Sequence, residues 1–139
     1  MVTVGDHDAQ YLLDHLDRLL GKPIELCATT LDLVVDRASG RRMVQLRLRR
    51  AEAAPSVIEV TLDGSTFDSV PMRVAMDHHL LLNALRFGHR HIHLQSATGP
   101  VFCRDRGNNF VWALMHDSLT TGQVSKMQTV STSHSLIAA

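Results

Sequence analysis

Cysteine is scarce in this chain of 139 residues, with Cys27 and Cys103 the two present. That is too few for a secreted disulfide framework, and each lies in an apolar, strand-like run. Buried free thiols in a reducing compartment are expected, with a bridge between the two as the alternative. Neither sign of charge dominates, since 14 Lys plus Arg balance 14 Asp plus Glu. The molecule as a whole is therefore not driven electrostatically towards nucleic acid or an anionic membrane. No apolar run approaches the ~20 residues of a spanning helix. The first residues lack the basic-then-apolar pattern of a secretory leader, so the expected location is the cytoplasm. No nucleophile elbow, phosphate loop or dinucleotide fingerprint occurs. No catalytic residue and no cofactor is assigned.

What is present is hydrophobic periodicity. Residues 2–4 suit a short strand. Over 7–20, Leu12, Leu13, Leu16, Leu19 and Leu20 recur at helical spacing, with Asp8 for the N-terminal turn and Gly21 as the stop. Strands are expected at 24–28 and 31–35, separated by a Thr29-Thr30 turn, and at 43–48 after the Ser39-Gly40 turn. Residues 49–55 read as a loop. Residues 57–62 alternate and end on Asp63-Gly64. An extended stretch over 67–76 contains Pro71, which suits an edge or irregular position. A second helix is predicted over 77–87, with Leu80, Leu81, Leu82, Leu85 and Phe87 as its apolar side and Gly88 as its stop. Strands at 89–95, 101–104 and 109–115 follow.

The two halves resemble each other. Val2 and Val4 match Met72 and Val74, Asp8 matches Asp77, and Leu12, Leu13 and Leu16 match Leu81, Leu82 and Leu85. Further on, Ile24 and Leu26 match Ile92 and Leu94, Val34 matches Phe102, and Leu46 matches Leu114, always at an offset of 68 to 70. The pseudo-repeats span about 2–49 and 70–116, with 56–62 extra to them. Neither half buries its helix stripe alone, so the two share a core. The expected fold is α+β, two helices packed on antiparallel sheet, in one domain over 1–117. Residues 118–139, rich in Ser, Thr and Gln, read as a flexible tail.

The run Met76-Asp77-His78-His79-Leu80-Leu81-Leu82-Asn83-Ala84-Leu85, with strands closing on Phe110-Val111-Trp112-Ala113-Leu114-Met115, resembles the last domain of the bacterial DNA polymerase III beta subunit, the sliding clamp. The likeness is best over 57–116 and extends over 2–116. It implies a DNA-clamp-like fold, itself a duplicated strand-helix-strands unit, and a non-catalytic role in DNA replication. Clamps are oligomeric rings around duplex DNA, with helices lining the hole and edge strands pairing between subunits. They also hold a pocket for peptide motifs of protein partners. On that expectation the DNA-facing candidates are Arg18, Lys22, His78, His79, Asn83, Arg86 and Arg90. The partner-binding candidates are Trp112, Leu114 and Met115.

Two features depart from that pattern. A helix facing DNA presents Lys and Arg to phosphates, yet the first helix offers Gln10, Asp14, Asp17 and Arg18, which is net acidic. Where the family closes on Met-Pro-Met-Arg, this chain has Ala113-Leu114-Met115-His116, and only Met115 carries over. Separately, His89, His91 and His93 alternate, so on a strand they share one face. Such a trio is a candidate metal site, against the plainer reading of a His-rich exposed face. The leading expectation is a clamp-like domain acting by self-association and protein-partner binding, with duplex DNA as the inherited ligand. The alternative is a ligand- or effector-sensing module of a bacterial transcription regulator that reuses the fold.

Overall fold

The strands sort into one sheet of six to nine residues each and one of two to five. The computed structural model describes residues 1–20, 28–50, 56–105, 108–113 and 126–132. The long-strand sheet contains β2 (Ala28–Val35), β3 (Arg42–Arg50), β4 (Ser56–Leu62), β6 (Met72–Asp77) and β10 (Lys126–Ser131), in the order β10-β4-β3-β2-β6. The short-strand sheet contains β1 (Val2–Thr3), β5 (Thr66–Phe67), β7 (His91–Leu94), β8 (Val101–Asp105) and β9 (Asn108–Trp112), in the order β5-β1-β7-β8-β9. Helices α1 (Asp6–Leu20) and α2 (His78–Arg86) complete the elements of the described residues. The architecture is mixed α+β, as expected.

One core joins the two sheets and the two helices. Leu31, Leu33, Val44, Leu46, Leu48, Ile58, Val60 and Leu62 supply the inner face of the long-strand sheet, and Val2, Ile92, Val101, Cys103 and Trp112 that of the other. The helices contribute Ala9, Leu12 and Leu16 from α1 and Leu81, Leu82 and Leu85 from α2. In β3 the core residues Val44, Leu46 and Leu48 alternate with the less buried Gln45 and Arg47, as the pleat dictates.

Local signals explain the ends of α2. Asp77 accepts a hydrogen bond from the His79 backbone N–H at 2.9 Å, capping the first turn. At the other end Gly88 takes a positive φ of 88° and donates its N–H to the Leu85 carbonyl at 3.0 Å. The start of α1 is held differently. The buried Asp8 accepts from the Gly64 N–H at 2.8 Å and the Ser65 hydroxyl at 2.6 Å, and Ser65 Oγ accepts from the Gly5 N–H at 3.1 Å. Gly5 is required here, because a Cβ would come within 2.5 Å of the Gly64 carbonyl. This knot ties α1 to the turn between β4 and β5, where the chain passes from one sheet to the other.

Several expectations are corrected. Thr29 and Thr30 form no turn. They lie inside β2 and are 0 % and 4 % exposed, paired with Leu48 and Arg47 on one side and Met76 and Ala75 on the other. Their branched side chains suit a central strand. Residues 49–50 continue β3 rather than opening a loop. The segment at 56–62 is β4, the third strand after α1 and an inner member of its sheet. Residues 126–131, assigned to a flexible tail, form β10, which runs parallel to β4 with Lys126 opposite Ser56 and Ser131 opposite Thr61. Thr132 accepts from the Asp63 N–H at 3.1 Å and is fully buried, so the folded unit reaches past residue 117. Most of the strand expected at 24–28, with Gly21 and Cys27, lies outside the described residues.

Candidate functional site

The helix surface comes first, because the DNA-facing residues were placed there. Of these, His78 is 3 % exposed, the first residue of α2 turned inwards, and does not face solvent. Arg90 is committed to the fold. Its guanidinium donates to the Leu85 carbonyl at 3.1 Å, closing the C-terminus of α2, and pairs with Asp6 of α1 at 3.0 Å. Arg86 donates to its neighbour Asn83 at 3.3 Å, and both are exposed, as is His79. The side chain of Arg18, and all of Lys22, lie outside the described residues. The exposed charged side chains that are described on the helices are Asp6, Asp14 and Arg86, which is not a cationic face.

The histidine strand does not assemble as expected. His89 precedes β7, is 2 % exposed, and packs edge-on against Phe110 at 5.2 Å between ring centroids. His91 and His93 are exposed on the outer face of β7, where His91 Nδ1 lies 3.3 Å from the Thr3 hydroxyl. The alternation stops because the backbone turns at His89 to bond the Ala84 carbonyl, at 3.1 Å, before the strand begins. Among the described residues no group of three metal-ligating side chains occurs.

Trp112 is likewise not a surface anchor. It is 6 % exposed and belongs to the core, with its indole Nε1 unpartnered among the described residues. Leu114 and Met115 lie outside them. Cys103 is fully buried and free, and burial pushes its thiol up to about 11. It stays protonated at neutral pH and is a poor nucleophile.

The surface that does gather exposed apolar groups is the free edge of the short-strand sheet. β9 is its last strand and has no further neighbour among the described residues. Val111 is 60 % exposed on the outer face. Phe87, at the C-cap of α2, is 60 % exposed and packs on Phe110 of β9 at 5.3 Å. Leu80 is 37 % exposed. Leu80 and Phe87 were assigned to the buried side of the helix, and both are corrected here. They stand about two turns apart, so they share a face, while Leu81, Leu82 and Leu85 occupy another. That split was readable from the spacing.

The fold and its surfaces thus define a two-sheet, two-helix α+β domain in which, among the described residues, β9 is an edge strand with exposed apolar groups beside it. No protein-family model matches the chain, and no curated protein does. A solved structure does: a DNA polymerase III subunit beta DnaN sliding clamp from Bartonella birtlesii, with a TM-score of 0.57 at 15 % identity. The match covers 83 % of this chain and 32 % of the clamp subunit, so the chain spans about a third of that protein's length. At this identity the likeness shows the fold, which is sliding-clamp-like. Among the described residues no helix is long and apolar enough to cross a membrane.

Proposed function

We propose that this chain is a non-catalytic, clamp-fold association module, which pairs through β9 with an edge of a second copy or of a protein partner. The observation that carries the reading is the state of that edge. An uncovered strand offers main-chain donors and acceptors, and here exposed Val111 and Phe87 add apolar area beside them. The similarity to a sliding clamp supports association as the mode of action. Duplex DNA is the less favoured ligand, since binding it rests on phosphate neutralisation and the described helix surface is not cationic.

The proposed fold history is a duplication. Val2 of β1, just ahead of α1, pairs with Ile92 of β7, just behind α2. Val74 of β6, just ahead of α2, pairs with Leu31 of β2, behind α1. This reciprocal exchange supports two copies of one unit with β1 equivalent to β6 and β2 to β7, a strand matching that replaces the residue-by-residue offset of 68 to 70 expected from the sequence. On this reading β4 is the counterpart of β9.

Sedimentation velocity across a concentration series tests the association. A concentration-dependent oligomer is expected, reverting to monomer in the Phe87→Glu, Val111→Glu double variant. A chain that stays monomeric at the highest soluble concentration, together with no retention of a protein partner dependent on Phe87, would remove the reading. Anisotropy titration with a fluorescent duplex at low salt addresses the ligand. Little binding is expected, and a tight, salt-sensitive complex would favour the DNA role instead.

A further inference from the structure

The outer face of the short-strand sheet carries a groove that association through β9 does not require. The register sets His93 of β7 opposite Phe102 of β8, and Phe102 opposite Val111 of β9. Met1, His93, Leu94, Gln95, Phe102 and Arg104 line a half-open cavity of about 320 Å³. This lies at the small end of the ~300–1,000 Å³ usual for ligand pockets. Met1, Leu94 and Phe102 supply its apolar lining, and His93, Gln95 and Arg104 its polar groups.

The charge in this groove is unbalanced. Arg41, Arg47, Arg73 and Arg90 each pair with a carboxylate. Arg104 has no carboxylate partner among the described residues, and its guanidinium instead lies 5.6 Å from the centroid of the Phe102 ring. The other formal cation of the lining, the Met1 ammonium, is neutralised by Asp68 at 2.7 Å. Among the described residues the groove therefore presents one guanidinium with no carboxylate partner, beside an aromatic face. A guanidinium bonds a carboxylate by paired, charge-assisted hydrogen bonds, and one already resting on a ring loses little freedom in doing so.

We infer that this groove binds a small monocarboxylate with an apolar body, its carboxylate on Arg104 and its body against Phe102. The cavity volume limits the body to a single ring or a short chain. The inference does not depend on self-association. It supplies a site for the alternative role of the chain as a ligand-sensing module.

Nitrogen-15 NMR titration of the full chain with phenylacetate tests it, alongside phenylacetamide, which has the same shape and no charge. Phenylacetate is expected to give saturable shifts centred on the amides of His93, Gln95, Phe102 and Arg104. Phenylacetamide should bind roughly tenfold more weakly, as should phenylacetate to Arg104→Gln. The spectrum of Arg104→Gln should otherwise be unchanged, because the residue is exposed. Phe102→Ala should weaken both probes alike. Equal affinity for the two probes, shifts that survive Arg104→Gln, or no saturable shift would each overturn the site. Repeating the titration on Phe87→Glu separates the two proposals, since loss of association there leaves the groove intact.

Discussion

The two sheets enclose one core but treat their outer faces in opposite ways. The long-strand sheet turns its charges on one another. Arg73 of β6 donates to both carboxylate oxygens of Asp32 on β2, at 3.0 and 3.1 Å. Arg47 of β3 lies 3.7 Å from Asp32 and 3.2 Å from Glu59 on β4. Its outer edge beyond β4 is covered by β10. Among the described residues the short-strand sheet leaves Arg104 without a carboxylate and His91 and His93 exposed, and its edge strand β9 carries the exposed Val111. Where polar groups satisfy one another, a face supports the fold. Where they are left available, it can meet something else.

Breaking the network should produce the largest effect. Asp32 has a side chain only 4 % exposed, so Asp32→Ala removes the two-pronged partner of Arg73 and the strand-to-strand tie it makes, while Arg47 keeps Glu59 at 3.2 Å. Loss of one partner from a buried pair costs about 3–5 kcal/mol. Because Arg47 and Arg73 are one-third to one-half exposed, water relieves part of this, and about 3 kcal/mol is expected from urea midpoints. A loss below about 1 kcal/mol would show that the network is only surface decoration. Next comes the knot between the sheets. Asp8→Ala unpairs the Gly64 N–H and the buried Ser65 hydroxyl, at about 1–3 kcal/mol for such groups. One Asp8 oxygen is buried without a hydrogen bond, 4.0 Å from His7 Nδ1, so removing it returns some energy, and about 1–2 kcal/mol is expected by the same measurement.

The covered edge gives a smaller, more local effect. Thr132→Val keeps the shape of a buried residue but removes the acceptor for the Asp63 N–H. About 1 kcal/mol is expected, with faster hydrogen exchange confined to β10 and the outer flank of β4. Uniform loss of protection would mean that β10 is integral to the sheet and not an added strand. On the available face the expectation reverses. Val111→Lys and Arg104→Gln should each move stability by no more than about 0.5 kcal/mol, as surface changes do. A larger loss from either would make the short-strand face structural and remove its contrast with the other.

Much of this was legible in the residues, and the misses have a common cause. Asp77, the Leu81-Leu82-Leu85 stripe and Gly88 define α2 because capping and helical spacing are local. The alternation in β3 and β4 is local too. Thr29 and Thr30 were misread since their meaning comes from neighbours on two other strands. β10 was missed because a Ser, Thr and Gln-rich stretch looks like solvent-exposed chain until β4 offers it a ladder. Asp8 looked like an ordinary first-turn carboxylate, and its partners lie in a turn 56 and 57 residues away. His89 had the right spacing for its strand but met Ala84 first. For the candidate surface, Phe87 and Leu80 were readable from helical angles, whereas the groove at Arg104 exists only once β7 pairs with β8 and sets His93 beside Phe102.

The smallest expected effect concerns the turn between β2 and β3, where the long-strand sheet satisfies its charges even in the open. Asp36 accepts from the Ser39 hydroxyl at 2.6 Å and from the Ala38 N–H at 3.4 Å. The Ser39 bond chiefly, then that of Ala38, holds its carboxyl below the ordinary value of 3.8. A carboxylate with a depressed value in the folded chain stabilises it above the unfolded value, and that contribution fades as pH falls through the folded one. The window is therefore acidic, below about pH 4. Asp68 follows the same sign beside the short-strand sheet, held down by the Met1 ammonium instead. Ser39→Ala should raise the Asp36 midpoint towards 3.8 in a carboxyl-detected NMR titration, leave the Asp68 midpoint unchanged, and slightly flatten the acid limb of the melting curve. Joint movement of both midpoints would mean that the two carboxylates report a shared opening of the domain, and the independence of the two sheets' surfaces would fail with it.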